Sequence, residues 1–326
     1  MRRRRFSVGA LTLLLAASPL RAQGSDNPES GGATFLLLPV GARAAALGQA
    51  AAADAGDTEA AFWNPAGLAT IPNTVIAAHY SSTFASNNTA LSAYFPANRL
   101  GVLGVSAYLV DFGSQEVSVG PGGVIGRISL KNIELLASYA TELGSHFALG
   151  VNYKLIQFRQ DCSGDCGILR SIVGTTHGVD VGLQFAAGAD DNLRIGAVLR
   201  HAGFKLQLEN KDQADPLPTR LQVGVAYRVF LPQPDNSPER MDARFLVDLQ
   251  DALSGPTDPD ARIGVELGYG QIVRLRAGYA FLHSETRGPS VGIGLRFGKF
   301  AFDFARVFYD SSTFDEPVYL SLELAF

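Results

Sequence analysis

Arginines and carboxylates recur at alternate residues through much of this 326-residue chain, and that spacing decides what chemistry they can do. Arg228, Arg262, Glu266, Arg274, Arg276 and Arg296 are the main candidates, joined by Glu134, Lys154, Asp180, Arg194, Arg200, Arg244, Asp248 and Glu323. Alternate residues of a strand share a face, so these charges project to one side. They can pair with one another and with a buried segment, because an inward charge needs a partner. Alternatively, since arginines outnumber acids, they can form a selectivity ladder for an anionic solute.

Covalent chemistry is limited to Cys162 and Cys166, the chain's two cysteines, in Asp161-Cys-Ser-Gly-Asp-Cys-Gly167. An even pair in an exported protein is expected to form a disulfide closing a small loop. Two thiols without nearby histidines make a poor metal site, so neither a metal nor another cofactor is expected. Of the five histidines, His146 and His177 fall at strand starts and His283 at a loop edge, ordinary places for solvated imidazoles. No Gly-x-Ser-x-Gly elbow between a strand and a helix, no metal-binding histidine pair and no phosphate loop appears. No catalytic residue, and no enzyme, is expected.

The elements that carry these charges read as strands. Phe147, Leu149, Val151, Tyr153 and Leu155 alternate with Ala148, Gly150, Asn152, Lys154 and Ile156; Leu221 to Val229 and Val291 to Phe297 behave alike. Period two with one apolar and one polar face is what a lipid belt and a lumen require. About fourteen such segments are expected, an even number as in bacterial outer-membrane barrels, near 74–82, 89–96, 99–110, 131–141, 146–159, 177–187, 192–202, 218–230, 243–251, 260–269, 272–282, 289–297, 299–309 and 317–326. Tight turns at Ala97-Asn98, Leu143 to Ser145, Gly188 to Asp191, Gly270-Gln271 and Gly298 alternate with longer loops at 111–130, 160–176, 203–217, 252–259 and 310–316. The stretch 111–129 could hold a further short hairpin, and the proline-rich Leu231 to Met241 is long for a turn. The last strand, Val318 to Phe326, sets Leu320, Leu322, Leu324 and Phe326 on one face and is expected to close the barrel against the first. Closure removes an edge that would otherwise invite aggregation.

Arg2 to Arg5 followed by the apolar Val8 to Ala17 reads as a signal peptide over residues 1–22, too short to span a bilayer as a helix. With 47% hydrophobic and 18% charged residues, 35 glycines and a formal net charge of -4, the composition suits membrane strands and offers no basic patch for nucleic acid. A soluble β-sandwich also alternates, but leaves the signal peptide and the aromatic-ended strand unexplained. The expected fold class is therefore an all-β membrane protein, a fourteen-stranded antiparallel transmembrane β-barrel over 73–326 in the outer membrane of a Gram-negative-type bacterium. Outer-membrane lipid, lipopolysaccharide and the barrel-assembly machinery are its expected partners.

Residues 23–72 differ. Alanine-rich Gly41 to Gly48 and Asp57 to Leu68 favour short helices. Asp57 can cap one that stops before Pro65, and Asn64-Pro65-Ala66-Gly67 reads as a turn. As a linker in water this segment would expose Leu36 to Leu38 and Phe62-Trp63, so it is expected to plug the barrel. Gly41-Ala-Arg43, Ala55-Gly-Asp57 and Ala60-Ala-Phe-Trp-Asn-Pro-Ala-Gly-Leu68 together resemble the N-terminal region of the PorV/PorQ family, outer-membrane proteins related to FadL-type long-chain fatty acid transporters. The resemblance continues at Leu217-Pro218 to Tyr227, Arg274 to Phe281, and Ser290 to Asp303. It implies a FadL-like barrel with an N-terminal plug. It further implies a binding or escort role for exported proteins, with secretion-system proteins or secreted substrates as partners; transport of small hydrophobic or amphipathic solutes is the alternative.

Overall fold

A computed structural model describes residues 32–118, 123–167, 169–208, 214–232, 240–253, 259–282, 287–309 and 315–326. The expected signal peptide, His283 and most of 231–241, 252–259 and 310–316 lie outside them.

Fourteen strands form one closed antiparallel barrel: β1 (Val75–Ser82), β2 (Asn87–Pro96), β3 (Val102–Ser118), β4 (Val124–Leu143), β5 (Phe147–Gly164), β6 (Ile172–Ala187), β7 (Leu193–Gly203), β8 (Arg220–Phe230), β9 (Met241–Ala252), β10 (Asp260–Tyr269), β11 (Val273–Phe281), β12 (Gly288–Phe297), β13 (Phe300–Val307) and β14 (Val318–Ala325). Neighbours in sequence pair throughout, and the ring closes where β14 pairs with β1 from Val75↔Ala325 to Ser82↔Val318. Leu322 and Phe326 point outward on that last strand, while Tyr319 and Ser321 are buried. The outer face carries exposed large apolar residues on every strand, among them Leu103, Val105, Val179, Val181, Phe245 and Val247. That band is what hydrocarbon demands of a barrel exterior.

The main departure from the sequence expectation lies in two regions expected to be loops. The hairpin of β3 and β4 runs on to Ser118 and resumes at Val124, across most of the expected loop 111–130, with a register shift between Asp111 and Ser114. Among the described residues of this stretch one hairpin is extended and no further one is added. β5 likewise reaches Gly164 and β6 begins at Ile172. In these extensions apolar residues stand side by side, as at Val124-Ile125 and Ile172-Val173, and polar ones run together, as at Ser114 to Glu116, so the backbone ladder continues without the alternation that marks a strand in sequence.

Residues 32–72 lie inside the ring. A 3-10 turn (Thr34–Leu37) leads into helix α1 (Ala42–Ala46), and helix α2 (Ala60–Trp63) into a 3-10 helix (Pro65–Thr70). The expected turn at Asn64 to Gly67 is thus the start of that 3-10 helix, with Asn64 as its cap, accepting from Ala66 N–H. Asp57 supports the entry to α2, where Glu59 N–H donates to its carboxylate at 2.8 Å. Several glycines exist for this fit. A Cβ on Gly182 would lie 1.9 Å from Asn64 Oδ1, and one on Gly196 1.9 Å from the Ala52 carbonyl oxygen.

Candidate functional site

The interior divides into two unlike halves, both built between the inner segment and the wall. On one side, α1 packs against β11 to β14. Arg43 Nε lies 2.7 Å from Asp54 and 3.2 Å from Asp57, and its guanidinium also pairs with Glu266. Arg244 reaches Asp54 at 2.5 Å. Arg276 joins Glu266 at 2.6 Å and also pairs with Asp303. Glu59 accepts the Arg43 and Ala44 N–H groups at 3.0 and 2.8 Å, satisfying free donors at the start of α1. Burial alone would raise the Asp54 carboxyl, but Arg244 and Arg43 outweigh it and hold it well below the usual range. Asp57 is pushed up to about 7, by burial first and then by Glu323 and Asp54 against the pull of Arg43.

Of the charges singled out from sequence, Glu266 and Arg276 therefore bind one another and the inner segment. Arg262 is buried near Asp260, at 3.6 Å. Arg274 pairs with Asp242 at 2.8 Å. Arg228 and Arg296 are half-exposed, with their nearest carboxylates, Asp242 and Glu323, 3.9 and 3.8 Å away. The five arginines among them do not line up as one free cationic row: Arg276 is consumed with Glu266 in a clamp and the others spread along the wall. Cys162 and Cys166 form a disulfide at the end of β5, on the side of the barrel opposite the tight turns. Asn64 Nδ2 donates to the Ala52 carbonyl at 2.6 Å, tying the two limbs of the inner segment together. Gly288-Pro-Ser-Val-Gly292 has the spacing of a nucleophile elbow but lies inside β12. Ser290 Oγ there donates to the Ala46 carbonyl and accepts from Gly48 N–H, so it serves as a bracket for α1.

The other half sets an apolar layer beside a second buried charge cluster. Phe35, Leu36, Val40, Phe62 and Trp63 of the inner segment pack against Tyr94, Tyr108, Val110, Leu136 and Ile156 of β2 to β5. Phe62 and Tyr108 meet edge to face at 6.1 Å, and the Trp63 indole N–H donates to the Val40 carbonyl at 2.9 Å. Beneath this layer lies a cavity of about 10 Å³, fronted by Leu36, Trp63, Tyr108, Lys154, Arg200 and His201. Lys154 is held by Glu134 at 2.8 Å and Asp180 at 2.9 Å. Arg200 stacks over Trp63 at 5.0 Å and donates to the Phe62 carbonyl, Gln222 and Gln250.

Arg200 and His201 reach the same side because β7 carries a bulge. Val179 pairs with Ala202 and Val181 with Leu199, so two residues stand opposite Asp180. His201 adopts φ 58° and its N–H donates to Asp180 Oδ1 at 2.8 Å. Sequence reading assigned Arg200 to the lumen but passed over His201 and Tyr108. The available signal was two consecutive polar residues in an otherwise alternating strand, the mark of a bulge that re-aims a side chain. Outside the barrel, Ile76, Leu295, Phe297, Phe300, Phe302 and Leu322 border a groove of about 310 Å³ on the lipid-facing side.

A model of the uncharacterised protein family UPF0164 matches residues 16–232. No curated protein matches the sequence. Among solved structures, the CymD monoaromatic hydrocarbon channel is similar with a TM-score of 0.60 at 15% identity, covering 89% of this chain and 98% of that one. The P. putida toluene transporter TodX gives 0.58 at 13% identity, with 88% and 98% covered. The Ralstonia pickettii toluene transporter TbuX gives 0.57 at 13% identity, with the same coverage. At these identities the likeness establishes a shared barrel fold.

Proposed function

The chain belongs to the uncharacterised protein family UPF0164, and we propose that it is an outer-membrane channel for small hydrophobic or amphipathic solutes, gated by its inner segment. The observation that carries this reading is the apolar layer along one flank of the inner segment. A barrel needing only a stopper could be filled by the charged clamp alone. Here a clamp fixes one flank of the inner segment, while the opposite flank rests on aromatic and aliphatic side chains. Apolar contacts are non-directional, so a solute of similar polarity can replace them at little cost.

The fold shared with hydrocarbon channels and transporters supports transport. It lends nothing to the escort role that the PorV/PorQ resemblance placed first, and that role gives way to what the sequence held as the alternative. Transport through a plugged barrel is non-enzymatic, and it sets the protein in the outer membrane of a Gram-negative-type bacterium.

The test is initial uptake of a small aromatic hydrocarbon by intact cells whose lipopolysaccharide layer slows unaided entry. Cells producing the protein should take it up several-fold faster than cells with an empty vector. Equal rates, together with stoichiometric co-purification of a secreted protein, would restore the escort role.

A further inference from the structure

Three buried hydrogen-bond donors front the small interior cavity, and among the described residues none of them has an acceptor. They are Tyr108 Oη, Arg200 Nε and His201 Nε2. The acceptor atom beside them, Glu134 Oε1, is taken up by its ion pair with Lys154 at 2.8 Å. Tyr108 and His201 are each 2% exposed and Arg200 6%. The protonated nitrogen of His201 follows from its neighbour: the Lys154 ammonium lies 3.1 Å from Nδ1 and can only donate, so Nδ1 accepts and Nε2 carries the hydrogen. Leaving three such groups unpaired is costly, and the β7 bulge, with a non-glycine residue at positive φ, is what aims two of them there. Clustered strain and unmet donors at one cavity mark a place prepared for an acceptor.

The charges nearby state what kind of acceptor. Lys154 and Arg200 are two cations, and Glu134 and Asp180 are two carboxylates, so the formal charge cancels. A neutral oxygen suits that balance better than an anion. Around it stand Leu36, Val40, Phe62 and Trp63, which suit an apolar body. The cavity itself holds no more than a water, so a solute must displace the strand of chain that carries Leu36 to Val40. That stretch is tied by Gly32 N–H to the Pro216 carbonyl and by Trp63 to the Val40 carbonyl, each at 2.9 Å.

We propose that Tyr108, Arg200 and His201 form a recognition site for the carbonyl oxygen of a neutral amphipathic solute, whose apolar body takes the place of the Leu36 to Val40 stretch. This rests on the channel reading and narrows it, because such a site selects oxygen-bearing solutes over plain hydrocarbons. The alternative occupant is a single buried water, which would satisfy the donors and select nothing.

Acetophenone and ethylbenzene differ at one carbon, a carbonyl in place of a methylene, and neither is charged. Binding to the purified full-length protein in detergent can be followed by headspace depletion against matched micelles. Fluorescence of Trp63, the chain's single tryptophan, reports whether the ligand reaches this cavity. Acetophenone should bind about tenfold more tightly and perturb Trp63 saturably. Tyr108→Phe, which keeps the ring, should weaken acetophenone about fivefold and leave ethylbenzene unchanged. Equal affinities for the two, with ethylbenzene still taken up by cells, overturn the recognition site and leave the channel standing. If neither ligand binds and neither is taken up, the channel reading fails and the site falls with it.

Discussion

The two flanks of the inner segment are held by opposite physics. Against β9 to β13, the side chains of Arg43, Asp54, Glu266, Arg276 and Asp303 interlock through charge-assisted hydrogen bonds, with Arg244 closing the network. Against β2 to β5, Phe62, Trp63 and Leu36 meet Tyr94, Tyr108 and Leu136. Tyr94 Oη and Asn152 Nδ2 donate to the Thr58 and Ala61 carbonyls, and among the described residues no ion pair joins these strands to the segment. Ion pairs in a buried site fix geometry, since removing one partner strands the other. Apolar packing tolerates substitution by anything of similar shape and polarity. The contrast assigns the charged flank to anchorage and the apolar flank to passage.

The strongest way to break this division is Arg43→Ala. It leaves Asp54, Asp57 and Glu266 crowded without their common cation. The expected cost to anchorage is about 3–5 kcal/mol. It should be seen as ion conductance in planar bilayers where the unaltered protein is silent, with the barrel itself still heat-modifiable on gels. A silent variant would show that the clamp does not hold the segment. Asn64→Ala should have a smaller effect, about 1–3 kcal/mol, because it leaves the buried Ala66 N–H without its acceptor and the Ala52 carbonyl with Gln184 alone at 3.1 Å. Its signature is earlier thermal release of the segment, read by Trp63 fluorescence, without steady conductance.

The smallest effect is a pH dependence confined to the charged flank. Asp57 has its folded value raised to about 7 from an ordinary 3.8, so its contribution is full below 3.8 and is lost as pH rises through 7. Asp54, held low, loses its contribution only in strong acid. Between about pH 4 and 7 the release temperature of the inner segment should therefore fall, and it should level off above 7. Asp57→Asn should flatten that slope, and an unchanged slope would place the titrating group elsewhere.

Much of the barrel was legible because lipid on one side and a lumen on the other force period two on each spanning strand. The β8 to β13 charges were read from the same alternation, and Cys162 with Cys166 from export and proximity. Three features were not legible for definite reasons. The outer reaches of β3 to β6 place like residues side by side, Val124 with Ile125 and Ile172 with Val173, so period two does not mark them as strand. The division of the lumen depends on which strands the inner segment's aromatics meet, a property of closure rather than of any one strand. Tyr94, Tyr108 and Ile156 sit on the face that alternation marks as lumenal, and only the approach of Phe62 and Trp63 makes that face dry. His201 was hidden because a bulge breaks the alternation by which a strand is read.

The division is tested most directly by pinning the apolar flank shut. A Cβ on Gly32 would lie 3.3 Å from Leu206 Cβ, close to the separation a disulfide needs, and 2.8 Å from Asp215 Cβ, which must draw back to admit the cysteine. Gly32→Cys with Leu206→Cys would staple the start of the Leu36 to Val40 stretch to the connection between β7 and β8 and leave the Arg43 clamp untouched. Solute uptake by cells carrying the oxidised double variant should fall to the empty-vector rate and return on mild reduction, with the unsubstituted protein unaffected by the reductant. Undiminished uptake with the staple shown to be closed would contradict the account, because solutes would then be passing by a route that does not displace the apolar flank.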